Sequence, residues 1–217
     1  LHMLNHSLFK SLLFFGAGNL YSQMHTTQLD RFGGVGKSMP MTAILFLIAT
    51  VAICALPPLN GFVGEFLIYL GMFSSVRDGV NTLAAAGGLF SLALIGGIVV
   101  LAFTKLYSPV FLGSPRDHHV AEATEVDSFR IAAMGIPMAG ILLIGILPQF
   151  AVKITERVAA QFTHFAAPII EIYANSALVN ISLVALALVI IAALLYLLKR
   201  RSYRIFKLLL RYHSTFN

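Results

Sequence analysis

Residues 55–69 read ALPPLNGFVGEFLIY, and this stretch decides how the fold is interpreted. Apolar runs lie on both sides of it, which favours a membrane helix. Within it, however, Pro57 and Pro58 remove two backbone donors and Gly61 loosens the chain. An acid, Glu65, follows the interruption in an otherwise apolar context. We therefore predict a membrane segment that is broken at these prolines and this glycine.

The segment that contains the break covers residues 41–73. It is longer than the roughly 20 residues that cross a bilayer as one helix. Two arrangements remain open at this point. The segment could be one spanning helix with an unwound middle, or two short helices that form a re-entrant hairpin. Its length favours the broken spanning helix.

The composition of the whole chain is that of a membrane protein. Of its 217 residues, 58% are hydrophobic and 11% are charged, whereas soluble domains have about 45–50% and about 25%. The single cysteine excludes a disulfide scaffold, and the hydrophobicity excludes a disordered chain. We predict an all-α integral membrane protein.

Apolar stretches and their borders predict about five transmembrane helices. These are residues 1–23, 41–73, 82–111, 129–150 and 177–198. Residues 151–173 are amphipathic and charged, which predicts an interfacial helix. We divide the chain into channel helices, residues 1–112, and a C-terminal part, residues 113–217, that holds the interfacial segment and a basic tail. Because the apolar pattern is already under way at Leu1, we expect the chain to be the C-terminal part of a longer protein.

The basic residues predict the orientation. Six of the 15 lysines and arginines lie between Lys199 and Arg211, directly after the last apolar stretch. Such clusters mark the cytoplasmic side of a membrane protein, so nucleic-acid binding is not expected. Five crossings then place the loops at residues 24–40 and 112–128 on the same side, and both loops also carry basic residues. We predict a multi-pass protein of the prokaryotic plasma membrane with a cytoplasmic C-terminus.

Ionisable residues inside apolar stretches are the candidate functional residues. His2, His6 and Lys10 are spaced i, i+4, i+8, which places them on one helix face. Glu65 follows the break, and Lys105 lies late in the third stretch. A charge at the centre of a membrane helix costs about 2.5–3.5 kcal/mol and usually faces a bundle interior. Imidazoles, amines and a carboxylate whose pKa values are shifted by burial are the groups that a proton relay requires.

Other interpretations of these residues remain open. Lys105 is close to a helix end, where its side chain could extend to the interface. Glu65 could form a packing salt bridge, which would require an intramembrane partner. The sequence shows no nucleophile–base arrangement, dinucleotide loop or cysteine cluster. We therefore predict no metal site, cofactor or redox centre on this chain.

The sequence also resembles a known family. HMLNHSLFKSLLFFGAGNLY, residues 2–21, is similar to the H-x-x-x-H-x-x-F-K-x-x-L-F-x-x-x-G motif of antiporter-like proton-channel subunits. These subunits occur in respiratory complex I, multisubunit sodium/proton antiporters and group 4 hydrogenases. LDRFGGVGKSMP, residues 29–40, resembles the loop after that helix, and the stretch around the break resembles the family's broken helix. PPLNGF and FLGSPRDHH are most similar to the hydrogenase and formate hydrogenlyase branch.

The resemblance implies an inverted-repeat bundle of which this chain supplies the last helices of the second repeat. It implies that His2, His6 and Lys10 lie on the helix that connects two half-channels. It further implies that Glu65 is the titrating residue of the broken helix and that Lys105 is a basic channel position.

The function expected from residues and resemblance is that of a proton-translocating membrane subunit in a redox-driven complex, of the group 4 hydrogenase or formate hydrogenlyase type. Its partners would be other membrane subunits, the lipid bilayer and a cytoplasmic arm that carries nickel–iron and iron–sulfur centres. Two alternatives remain. One is a subunit of a complex I-type quinone oxidoreductase or of a cation/proton antiporter. The other is a structural subunit whose buried charges only fix packing.

Overall fold

A computed structural model describes residues 1–117, 120, 122–159, 161 and 168–214. All regular secondary structure among these residues is helical. The prediction of an all-α fold is confirmed. The helices are α1 (His2–Met24), α2 (Pro40–Ile53), α3 (Asn60–Arg77), α4 (Thr82–Phe111), α5 (Ser128–Ile146), α6 (Pro148–Ala159) and α7 (Pro168–Ser214). Two short 3₁₀ turns, Leu29–Arg31 and Val35–Lys37, lie in the loop between α1 and α2.

Three helices in the described part are long and apolar enough to cross a membrane. They are Thr82–Phe111, Ser128–Ile146 and Ser176–Lys199, which correspond to the third, fourth and fifth predicted spans. The first two predicted spans remain predictions as membrane crossings. Ionisable side chains lower the hydropathy of α1, and the second span is divided into helices of 14 and 18 residues.

The division of the second span lies at the predicted prolines. The α2 helix ends at Ile53 and α3 begins at Asn60, so Pro57 and Pro58 are in the connection between them. Gly61 follows in the first turn of α3. A β-carbon at this position would lie 1.8 Å from the backbone oxygen of Ala52, so the two helix ends approach too closely for any side chain.

The contacts of α1 show the direction of α3. The side-chain amide of Asn5 donates a hydrogen bond to the backbone oxygen of Asn60. One turn nearer the start of α1, His2 lies against Gly64, one turn further along α3. The α1 and α3 helices are therefore antiparallel.

The α2 helix is also antiparallel to α1. It begins beside the end of α1, and Gly16, in the second half of α1, packs on Phe46 in the first half of α2. Because α2 and α3 run in the same direction, the segment has the arrangement of one broken helix rather than that of a re-entrant hairpin. Met134 and Ile141 of α5 are fully buried in the core shared with α1 and α2.

The C-terminal boundaries differ from the prediction. The fourth predicted span, residues 129–150, ends earlier, because α5 stops at Ile146 and α6 starts at Pro148. Proline has no N–H for continuing a helix but is favourable at a helix start. The predicted interfacial segment is also divided. Its first part belongs to the amphipathic α6, residues 160 and 162–167 lie outside the described residues, and residues 168–173 belong to α7.

Glu125 lies at the N-terminus of α2, at the end of this helix that is away from the break. Glu125 accepts hydrogen bonds from the backbone N–H groups of Met41 and Thr42, at 2.7 and 3.2 Å, and from the Thr42 hydroxyl at 2.6 Å. It caps the N-terminus of α2, where backbone donors lack partners within the helix. Nearby, the backbone N–H of Gly34 donates to the oxygen of Leu112. The loop before α2 is thus held against the loop after α4.

Candidate proton-relay site at the helix break

Protein surrounds part of the break between α2 and α3. Gly145, near the end of α5, lies so close to the break that a β-carbon there would be 2.3 Å from the Pro58 carbonyl oxygen. Gly61 makes the equivalent approach to Ala52 from the α3 side. Two glycines therefore allow backbone to pack on unwound backbone. This enclosure matters because polar groups at such a break cannot be satisfied by lipid.

Two asparagines tie α1 to the first turn of α3. Asn5 Nδ2 donates to the Asn60 backbone oxygen at 2.8 Å, and Asn60 Nδ2 lies 3.3 Å from Asn5 Oδ1. Both residues are 0% exposed. Because a buried amide is costly unless it is hydrogen-bonded, this reciprocal pair fixes the register of the two helices.

His2 reaches α3 beside the candidate acid. A β-carbon at Gly64 would lie 2.9 Å from Asn5 Nδ2 and 3.3 Å from His2 Nδ1. Gly64 directly precedes Glu65, so the imidazole of His2 packs one residue away from the carboxylate-bearing position. The ring centroids of His2 and His6 are 6.4 Å apart. His2 therefore packs on α3 at Gly64, and its part in a proton relay with Glu65 stays a prediction.

The Glu65 carboxylate lies at the contact between α3 and α4. A β-carbon at Gly96 of α4 would be 3.8 Å from Glu65 Oε1, an ordinary van der Waals distance, so the carboxylate lies against α4. Glu65 is half-buried. Within the described ranges it takes part in no salt bridge. Among the described residues, the alternative in which Glu65 forms a packing salt bridge therefore has no partner.

The two lysines are not brought into contact with Glu65. Asn5 and Asn60 are level with each other on two antiparallel helices. Lys10 lies five residues after Asn5 and Glu65 lies five residues after Asn60, so the two side chains lie in opposite directions from this level. Lys10 and Glu65 are therefore about 15 Å apart along the bundle. This places Lys10 level with the break, where it is half-buried. Lys105 is exposed and nine residues beyond Gly96, about 14 Å along α4. Proton transfer among these groups would need intervening carriers.

The polar residues that sequence reasoning missed are the asparagines. Asn5 and Asn60 both stand within the stretches quoted above, and each is a polar residue in an apolar context. A polar residue in an apolar stretch is the signal that could have found them. Asparagine does not titrate, so it is not a candidate when only ionisable residues are considered. For metal binding, the described residues contain no group of three or more histidine, cysteine, aspartate or glutamate side chains that could hold an ion.

The N-terminal part of the chain matches a known protein family. Residues 1–94 match the model of a transmembrane family described as NADH:quinone oxidoreductase/Mrp antiporter. They contain α1, the break and Glu65, and extend into α4. The match covers 94 of the chain's 217 residues.

The chain is also similar to two curated proteins of Escherichia coli (strain K12). It is 40% identical to hydrogenase-4 component B over 165 residues, which is 75% of this chain and 25% of that protein. It is 42% identical to formate hydrogenlyase subunit 3 over 125 residues, which is 57% of this chain and 21% of that protein. The chain therefore spans about a quarter or less of the length of these relatives.

A solved structure shows a similar fold. It is that of the membrane-bound sulfane sulfur reductase, an archaeal respiratory membrane complex, with a TM-score of 0.55 and 20% sequence identity. The match covers 66% of this chain and 22% of the other. The expected relationship to antiporter-like membrane subunits is confirmed, and the chain is a multi-pass membrane protein.

Proposed function

We propose that this chain is part of a proton-translocating membrane subunit of a redox-driven complex, of the group 4 hydrogenase or formate hydrogenlyase type. The observation that carries the proposal is the broken helix, in which Glu65 is half-buried shortly after the break and His2 packs on the preceding residue, Gly64. The two hydrogenase-type relatives are 40% and 42% identical over their matched lengths, and this similarity supports that branch of the family.

In this proposal Glu65 is the group whose charge alternates during transport. Unwound backbone beside a carboxylate admits water and offers polar contacts without exposing the carboxylate to lipid. His2 and His6 bring protons to the break from the α1 side, because an imidazole ring can both accept and donate a proton. Lys10, level with the break, sets the electrostatic balance of the path, and Lys105 continues it along α4.

We also propose the partners of this chain, its membrane and the roles of its two parts. Its partners are other membrane subunits and a cytoplasmic arm, and the nickel–iron and iron–sulfur centres are on those partners. The membrane is the prokaryotic plasma membrane, with the basic tail on the cytoplasmic side. Residues 1–112 serve as channel helices, and residues 113–217 add the C-terminal helices, including the interfacial α6.

Proton uptake by vesicles that contain the complete complex tests this function. When the complex is given its own electron donor, the vesicle interior should change pH, and an uncoupler should abolish the change without slowing electron transfer. Electron transfer at a normal rate in sealed vesicles with no proton movement would contradict the proposal.

Cation/proton exchange without a redox partner is the second candidate, because the matched family also includes Mrp antiporter subunits. The same vesicles distinguish the two candidates. A sodium gradient should drive proton movement in the absence of an electron donor if the protein is an antiporter. It should have no effect if transport is coupled to electron transfer alone.

A further inference from the structure

The last helix continues well beyond the part of it that can cross a membrane. Helix α7 runs from Pro168 to Ser214, whereas its membrane-spanning part is Ser176–Lys199. Every side chain from Leu186 to Lys199 is exposed, so the other described helices do not enclose this end of α7. The surroundings of the end of the span are therefore supplied from outside the described part of the chain.

Two features indicate that the border of the hydrocarbon core is close to Lys199. The uncharged stretch of residues 177–198 is about 33 Å long as a helix, close to the roughly 30 Å of the core. Tyr196, one turn before Lys199, is 64% exposed, and Tyr203 follows one turn after it. Tyrosines are enriched where a helix leaves the core. Lys199 is thus the first charged residue of α7 at the level of the lipid headgroups.

The basic tail, residues 199–211, carries positive charge alone. Six lysines and arginines lie between Lys199 and Arg211, and no aspartate or glutamate occurs after Glu171. Acids three or four residues away often neutralise part of the charge of an exposed helix, and this tail has none. Among the described residues Lys199 joins no salt bridge. A negatively charged partner of the tail must therefore come from outside it.

We propose that the first four basic residues of the tail bind the headgroups of anionic phospholipids where α7 leaves the membrane. They are Lys199, Arg200, Arg201 and Arg204, which we call the cationic collar. A guanidinium group can form two parallel hydrogen bonds with a phosphate, and basic clusters beside a membrane helix are attracted to anionic lipids. The proposal does not depend on whether the protein moves protons.

The positions of the basic residues along α7 separate the collar from the rest of the tail. Helix α7 is continuous through Ser214, and it rises by about 8 Å from Lys199 to Arg204. The headgroup layer on one side of a bilayer is about 5–8 Å thick. Lys207 and Arg211 lie about 12 and 18 Å beyond Lys199. Charge interactions in solution are screened over about 8 Å, so these two residues should contribute much less to lipid binding.

Photo-crosslinking in a membrane tests the collar. The purified assembly that contains this chain is reconstituted into vesicles of phosphatidylcholine and phosphatidylglycerol, and a photoactivatable group is attached near the phosphate of one lipid or the other. Mass spectrometry of protein fragments locates the labelled residues. We expect phosphatidylglycerol to label the collar several-fold more than phosphatidylcholine does, and high salt should reduce the difference. Equal labelling by the two lipids at low salt would overturn the proposal.

Two double variants provide a matched comparison. Arg200→Gln with Arg204→Gln removes two charges from the collar, and Lys207→Gln with Arg211→Gln removes two charges from beyond it. In both pairs the residues are four positions apart, and all four positions lie on one helix face. We expect the first pair to lower labelling by phosphatidylglycerol about fivefold or more. The second pair should leave it unchanged within error.

The other outcomes also decide the question. Equal losses in the two double variants would overturn the proposal, because distance from the membrane border would then have no effect. Crosslinks from the collar to another protein in place of lipid would overturn it as well. If the collar variant fails to insert, the milder Arg204→Gln should insert and lower labelling by phosphatidylglycerol about twofold or more. Unchanged labelling in inserted Arg204→Gln would contradict the proposal.

Discussion

Two carboxylates that pack on the broken helix, one at the start of α2 and one shortly after the break, differ in what surrounds them. Glu125 caps the start of α2 and accepts hydrogen bonds from two backbone N–H groups and the Thr42 hydroxyl. Glu65 lies after the break, against Gly96. Within the described ranges it joins no salt bridge. Both acids contact the broken segment, but among the described residues only Glu125 has a fixed set of hydrogen-bond donors.

Under the proposed function, this difference is the one between an acid that holds two elements together and an acid that exchanges protons. The hydrogen bonds that Glu125 accepts hold the loop before α5 against the start of α2, so this carboxylate has a structural role. An acid without fixed donors can gain and lose a proton with little change in its contacts. The proposed function requires that freedom of Glu65, which lies shortly after the break. The predictions below test whether the two acids differ in this way.

The largest effect is expected from Glu65→Gln. The amide is nearly isosteric but permanently neutral, so donor-driven proton uptake should fall by about 100-fold or more. Glu65→Asp keeps a titrating group and should retain partial uptake. Vesicle uptake by the complete complex is the measurement. Near-normal uptake with glutamine would show that Glu65 is a packing residue, and the contrast with Glu125 would disappear.

Gly61→Ala tests whether the break is held as tightly as its contacts indicate. The new β-carbon would meet the Ala52 oxygen at 1.8 Å, and backbone cannot move aside as a flexible side chain can. We expect a loss of roughly 1–3 kcal/mol of stability, measured as a lower unfolding temperature and less assembled complex. Gly18→Ala is the control, because no atom lies within 4 Å of its β-carbon. Equal unfolding temperatures and equal amounts of assembled complex for the two variants would mean that the break can accommodate an added methyl group.

Lys10→Ala should lower proton uptake by about tenfold while the complex stays assembled. Lys10 is about 15 Å along the bundle from Glu65, so its effect should be smaller than that of Glu65→Gln. The test measures uptake per assembled complex on a purified preparation. Loss of assembly with normal uptake in the remaining complex would make Lys10 a structural residue, as Glu125 is.

The smallest effect is expected from Glu125→Gln. Losing the charge at the N-terminus of α2 should cost about 0.5–1 kcal/mol of stability, because the helix dipole favours an anion there. Proton uptake per assembled complex should not change. Thermal unfolding and uptake are measured on the same preparation. A loss of uptake as large as that of Glu65→Gln would remove the distinction between the two carboxylates.

Much of the fold follows from local sequence. The apolar runs predict the three long spans, and the prolines at positions 57 and 58 predict the interruption between α2 and α3. Boundaries were less predictable. The fourth span was expected to continue through Pro148, but α5 stops at Ile146, since hydropathy averages over residues and does not detect a missing backbone donor.

The candidate site was only partly predictable. Spacing placed His2, His6 and Lys10 on one helix face, because that depends on helix geometry alone. Spacing could not show that Lys10 is level with the break rather than opposite Glu65, because the register between helices is a tertiary property. Nor could it show that Asn5 pairs with Asn60, a contact between residues 55 positions apart.

The sequence by itself determined that this is a helical membrane protein, interrupted at a proline pair and carrying ionisable residues in its apolar segments. Composition and local backbone chemistry suffice for those conclusions. Only the tertiary structure decided which of these residues meet. Packing at Gly61, Gly64 and Gly145 sets the helix register, and the register decides that His2 and Asn5 face the first turn of α3. Contacts between distant segments depend on shape complementarity over the whole bundle, which no local pattern encodes.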